Sequence, residues 1–146
     1  MKAKILGATT VLILLSSLGA ARAENPAHVK QLLETNLCQG CDLSGANLKN
    51  SHLIGADLRN ANLEGANLEM ANLEGADLSE ANLTGANLKQ TFLNSAALND
   101  ANLTDANFTE ANLSYADLAG ADLSNTTFLN TNLLGTGIPN NILGSK

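Results

Sequence analysis

The sequence predicts an all-β fold in which the backbone winds around a column of its own leucines, and three observations predict it. From Leu43 to Leu133 a large apolar residue recurs at every fifth position through nineteen units without a slip, seventeen of them Leu and the others Phe108 and Phe128. The residue two before it is always small: Ala in fourteen units, otherwise Cys41, Ser51, Thr91, Thr126 or Thr131. The residue between the two is Asn or Asp in fifteen of the nineteen.

A short fixed period has to be settled before any helix or strand is assigned. An α-helix turns about 100° per residue, so a five-residue repeat drifts around its circumference and builds no apolar face. A continuous strand fails as well, because its side chains alternate and an odd spacing sends successive leucines to opposite faces. A three-residue extended piece followed by a corner satisfies the pattern. The small residue and the leucine then point to one side and the Asn or Asp to the other. Gly45, Gly55, Gly65, Gly75 and Gly85 fall at the corner in every second unit, where glycine permits a positive φ, so two alternating corner types are expected.

The units "ADLRN", "ANLEG", "ANLTG" and "ADLAG" resemble those of the pentapeptide-repeat proteins. The resemblance covers roughly residues 41 to 135. It implies a right-handed quadrilateral β-helix, four units per coil and almost five coils, with residues twenty apart stacked on one face. It implies little about activity.

The chain is expected to have four parts. Residues 1–23 have the order of a secretory signal peptide: Lys2 and Lys4, an apolar run from Ile5 to Leu18, then Ala21 and Ala23 around Arg22. An uncleaved anchor is the alternative, although the run is short of the roughly 20 residues that span a bilayer. Residues 24–37 are expected to hold a capping helix, with Asn25 as N-cap, Pro26 at the first helical position and Val29, Leu32 and Leu33 as its apolar stripe. It would cover the open edge of the first coil. Residues 38–135 form the solenoid. Residues 136–146 keep Ile138 and Leu143 in register but gain Pro139, and are expected to be a tail or partial coil with poor coverage, a candidate contact site for a partner or a second copy.

With a twenty-residue coil, Leu88, Phe108 and Phe128 share an inner column, the two rings stacked. Outside, Lys49, Glu69 and Lys89 alternate in sign beside a column of Asn47, Asn67, Asn87 and Asn107, whose amides can bond from coil to coil. A second face carries Asp57, Asp77 and Asp117, with Glu80 and Asp100 near its corners. Like charges about 5 Å apart in water repel by only about 1 kcal/mol, so no bound ion is required, and flat columns supply few of the oxygens calcium needs. A third face departs from the pattern. His52 and Phe92 replace the usual Asn, Ile54 and Leu134 stand at corners, and Tyr115 lies between them in height. His52, Ile54, Phe92 and Tyr115 are the candidate partner surface, weighed against simple decay of the repeat.

Cys38 and Cys41, an even count in an exported chain, favour a disulfide. The five-residue register puts both inside, around one corner. Free thiols, a redox pair and a metal site are the alternatives. The redox reading lacks the strand-then-helix setting, and zinc would need two more ligands where His28 and His52 are the only histidines.

Without residues 1–23 the chain has five basic and fourteen acidic side chains, a formal charge of −9, so phosphate backbones would repel it. With one Tyr, three Phe and no Trp, few groups can stack on bases or line an aromatic pocket. No catalytic site, cofactor, metal or small-molecule substrate is expected: no His flanks a nucleophile, no glycine motif cradles phosphate, and side chains fill the interior. The expectation is an exported structural or protein-interaction module with an unidentified protein partner, with end-to-end homodimerisation a further option. Resemblance to exported cyanobacterial members of the family implies the periplasm or the thylakoid lumen. The alternative is an acidic nucleic-acid mimic inhibiting a DNA-binding enzyme, as some acidic relatives are. Export and the nearly all-Leu core argue against it.

Overall fold

The computed structural model of the chain describes residues 24–138. The expected signal peptide and the tail beyond Ile138, with Pro139 and Leu143, lie outside the described residues. Among those described, no helix is long and apolar enough to cross a membrane.

Among the described residues one helix, α1 (Pro26–Thr35), precedes the repeats. Asn25 caps it, its Oδ1 accepting from the N–H groups of Ala27 (3.1 Å) and His28 (3.4 Å), and Asn36 ends it in the left-handed conformation. Leu32 is buried against the first coil and Val29 packs partly on it. Leu33 departs from the expected stripe: it is 53% exposed. It sits about 100° round the helix from Leu32, and the end of a narrow tube offers contact to one side of a helix only.

From Leu37 to Asn132 the chain forms a four-sided parallel ladder of sixteen bridges, each joining residues twenty apart, such as Asp42 to Asn62 and Asn62 to Asn82. The expected period is therefore the observed one. The solenoid starts one unit before the Leu43 repeat, with Cys38 as the central residue of that unit. Each unit bonds in both directions. Leu63 N–H donates to Asn82 O on the next coil (2.7 Å), Gly65 N–H to Thr84 O (2.9 Å), and Asn82 N–H to Ala61 O on the coil before (2.9 Å). At the corner Ala66 N–H closes onto Leu63 O at 3.0 Å. Backbone polar groups are thereby paired without a strand longer than the side of the square.

The corners are uniform, which corrects the expectation of two types. Gly65 has φ +65°, and the residues at the intervening corners adopt the same conformation without being glycine: Met70 (+58°), Glu80 (+59°) and Tyr115 (+61°). The corner requires the left-handed region at every unit, and glycine relieves its cost only where it occurs.

Inside, the central leucines from Leu43 to Leu113 are essentially inaccessible, and Phe108 and Phe128 stack with centroids 5.5 Å apart and planes 14° from parallel. Where Ser or Thr takes the small position, the hydroxyl finds a carbonyl: Ser51 Oγ donates to Leu48 O (2.7 Å), Thr91 Oγ1 to Leu88 O (2.6 Å), and Thr131 Oγ1 to Phe108 O (2.7 Å). Those substitutions therefore leave no orphaned polar atom in the core. The fifth coil is the least covered, with Ala121, Leu123 and Leu133 only partly buried.

Candidate protein-interaction face

The outward Asn and Asp side chains work mainly within their own unit. Asn82 Oδ1 accepts from Thr84 N–H (3.1 Å) and Thr84 Oγ1 (2.6 Å), and Asp122 Oδ1 accepts in the same way from Ser124 N–H (2.9 Å) and Oγ (2.6 Å). These are side-chain turns that hold the corner. Hydrogen bonds to Ser124 keep the Asp122 carboxyl below its ordinary range. The coil-to-coil amide bonds also occur, as from Asn87 Nδ2 to Asn67 Oδ1 (3.1 Å).

The charged columns are partly as expected. Lys49 Nζ meets Glu69 Oε1 at 2.9 Å, which depresses the Glu69 pKa, whereas Lys89 acts on Glu69 only through space. On the acidic face the reading of the sequence missed Arg59. Its Nε and Nη2 grip Asp57 Oδ1 and Oδ2 at 2.9 and 2.7 Å, and Nε lies 3.8 Å from Asp77. The side-chain bond to Arg59 holds the Asp57 carboxyl below its usual range. Ala97 then interrupts the column before Asp117. The signal was available, since Arg59 is two residues from Asp57 and so on the same side of an extended piece. Among the described residues no group of three or more His, Cys, Asp and Glu is placed to hold a metal ion.

The third face is built on the ladder His52, Asn72, Phe92, Asn112, Asn132. Ile54, Tyr115 and Leu134 occupy the corner that follows it. The structure divides the predicted set. Phe92 is on the third coil, Tyr115 on the fourth and Leu134 on the fifth, so these three climb successive coils along one edge, whereas Asn72 and Glu74 separate them from His52 and Ile54 on the first. Phe92 is 51% exposed, Tyr115 64% and Leu134 61%. Tyr115 N–H donates to Leu134 O (2.6 Å), and the ring lies so close over Gly135 that a Cβ there would come within 2.5 Å of Cδ1. Gly135 thus gives the Tyr115 ring its seat. Met70 and Leu129, on the edge beside the Asn67 column, are exposed too and were not singled out from the sequence.

Residues 41–79 match the family of pentapeptide repeats in eight copies, and residues 69–138 match the pentapeptide repeat region. A pentapeptide repeat protein of the cyanobacterium Cyanothece 51142 is 32% identical over 75% of this chain and 92% of its own, with a TM-score of 0.62. The chain is a pentapeptide-repeat protein. A pentapeptide repeat protein from Nostoc is 34% identical over 70% of this chain and 93% of its own (TM-score 0.61), and one from the Arabidopsis thaliana thylakoid lumen 30% identical over 67% and 69% (TM-score 0.65). No curated protein matches. The four-sided coil is the right-handed quadrilateral β-helix of these neighbours.

In this pentapeptide-repeat protein Cys38 and Cys41 face inward around the first corner, both buried, with Cα atoms 5.2 Å apart and sulfurs joined at 2.07 Å. They lie below α1 and away from the Phe92 edge, so they belong to the end of the rod and not to its exposed apolar side.

Proposed function

We propose that the protein is an exported, non-catalytic protein-interaction module of the periplasm or thylakoid lumen, and that its partner docks on the third face. One observation carries the reading: on a rod whose interior is filled, Phe92, Tyr115 and Leu134 stand exposed on three successive coils along one edge. Aromatic side chains of this kind supply most of the energy of a protein contact when a partner desolvates them. His52 and Ile54 lie on the same face nearer α1, separated from that edge by Asn72 and Glu74. The signal-like start of the chain supports export, and the likeness to a thylakoid-lumen relative supports a lumenal site. Nucleic-acid mimicry is disfavoured because Arg59 occupies the first two carboxylates of the acidic column and Ala97 breaks it.

The test is affinity capture with the purified protein from periplasmic and lumenal extracts, comparing wild type, a Phe92→Ala/Tyr115→Ala variant and a Met70→Ala/Leu129→Ala variant. The reading expects a bound protein that is lost with the first variant and kept with the second. Equal retention by all three would refute it.

A further inference from the structure

Among the described residues the first coil has no coil before it, and side chains of the N-terminal segment meet the backbone groups that would have faced one. In later coils the amide after the small residue donates backwards, Asn62 N–H to Cys41 O (2.8 Å), Asn82 N–H to Ala61 O (2.9 Å) and Asn102 N–H to Ala81 O (2.9 Å). Asp42 heads this column, and its N–H donates to Nδ1 of His28 on α1 at 2.9 Å. A ring nitrogen has taken the place of a main-chain carbonyl. Around it Asn47 N–H donates to Glu24 Oε2 (3.2 Å), Leu37 N–H to Thr35 Oγ1 (3.1 Å), Gln31 Nε2 to Leu37 O (2.7 Å), and Asn36 Nδ2 to Ile54 O (3.3 Å). Gln31, Thr35 and Asn36 keep their hydrogen-bonding character at every pH, whereas His28 does not.

We propose that His28 is a proton-operated latch on the N-terminal cap: neutral, it holds the Asp42 amide of the first-coil edge through Nδ1, and protonated there it lets that amide go. An imidazole nitrogen accepts only while it carries no proton: a protonated Nδ1 faces the Asp42 N–H as a second donor and has Asp42 O, 3.4 Å away, as its acceptor, so the amide loses its partner while the ring keeps one on the edge. What release uncovers is one amide of a parallel ladder edge, the kind of surface to which an extended chain adds. The charged groups on the segment that carries the ring are Glu24, Lys30 and Glu34, and Asp42 is the charged residue of the first coil that the ring touches. The Asp42 carboxylate is engaged by Ser44 N–H (3.2 Å), Ser44 Oγ (2.7 Å) and Asn62 Nδ2 (3.2 Å). Cys38 and Cys41, joined as a disulfide, do not titrate.

Amide hydrogen exchange tests this in the purified protein. The exchange rate of Asp42 N–H is divided by that of Asn82 N–H, which a carbonyl holds at the same place in the repeat, so that catalysis by solvent cancels. From about pH 8 to about pH 5 the wild-type ratio is expected to rise about five- to tenfold, the worth of one hydrogen bond. His28→Asn places an amide oxygen where Nδ1 stood and does not titrate, so its ratio stays low and flat. His28→Ala gives a high ratio throughout, and Glu24→Gln rises as the wild type does. A flat wild-type ratio overturns the proposal. So does a rise in His28→Asn equal to that of the wild type, or abolition of the rise by Glu24→Gln.

Discussion

A residue at a corner of this solenoid is held at positive φ whatever its side chain, and the cost differs from unit to unit. Gly75 has φ +62° and nothing within 4 Å of where a Cβ would stand, so Gly75→Ala isolates the backbone term. It is expected to destabilise the protein by about 1 kcal/mol in denaturant unfolding; no loss would show that the corner does not need glycine's freedom. The glycines were legible as turn residues, but the uniformity of the corners was not, because Met70, Glu80 and Tyr115 carry no mark of a left-handed backbone. Arg59 makes a second prediction. Its bond keeps the Asp57 carboxyl below the ordinary range, so the stabilisation is fully present above the unfolded carboxylate value and disappears as pH falls through the lower folded one. Carboxyl NMR of Arg59→Ala should show Asp57 titrating at higher pH than in the wild type. An unmoved titration would mean that Arg59 is a bystander.

At the scale of the element, one coil is a square of four leucines stacked on the next four. Leu83 lies fully buried between Leu63 and Leu103, and Leu83→Ala is expected to cost about 2–5 kcal/mol, since neither neighbouring coil can close the gap. A cost below about 1 kcal/mol would contradict close packing at that layer. The layers were readable because a period of five admits no helix and no long strand, and the pairing of Phe108 with Phe128 followed from the twenty residues per coil that the family resemblance implies. The cap was readable only in part. Asn25, Pro26 and Leu32 announced α1, but its polar contacts with the first coil depend on which side chains reach a backbone edge, and spacing does not specify that. Cys38 and Cys41 belong to the same element. They close so short a loop that entropy alone gives the bond little weight, and reduction should speed amide exchange in the first coil and leave the fifth unchanged. Acceleration spread evenly over all five coils would place the bond's effect on the whole rod.

At the scale of the whole molecule, residues 24–138 form a rod of five coils with a covered first end, and its faces are set by arithmetic. Any residue twenty positions from another shares its column, which is why the Phe92 and His52 ladder could be drawn before coordinates. The seat of the Tyr115 ring over Gly135 could not, because spacing does not say which way a corner side chain settles. The proposed partner surface inherits this register, and a shift of one unit would carry Tyr115 to another side. Scalar couplings across hydrogen bonds, measured between amide nitrogens and carbonyl carbons, read the register atom by atom. The account predicts coupling from Leu63 N to the carbonyl of Asn82 and from Asn82 N to that of Ala61. Coupling of either amide to a carbonyl at any other spacing would contradict it.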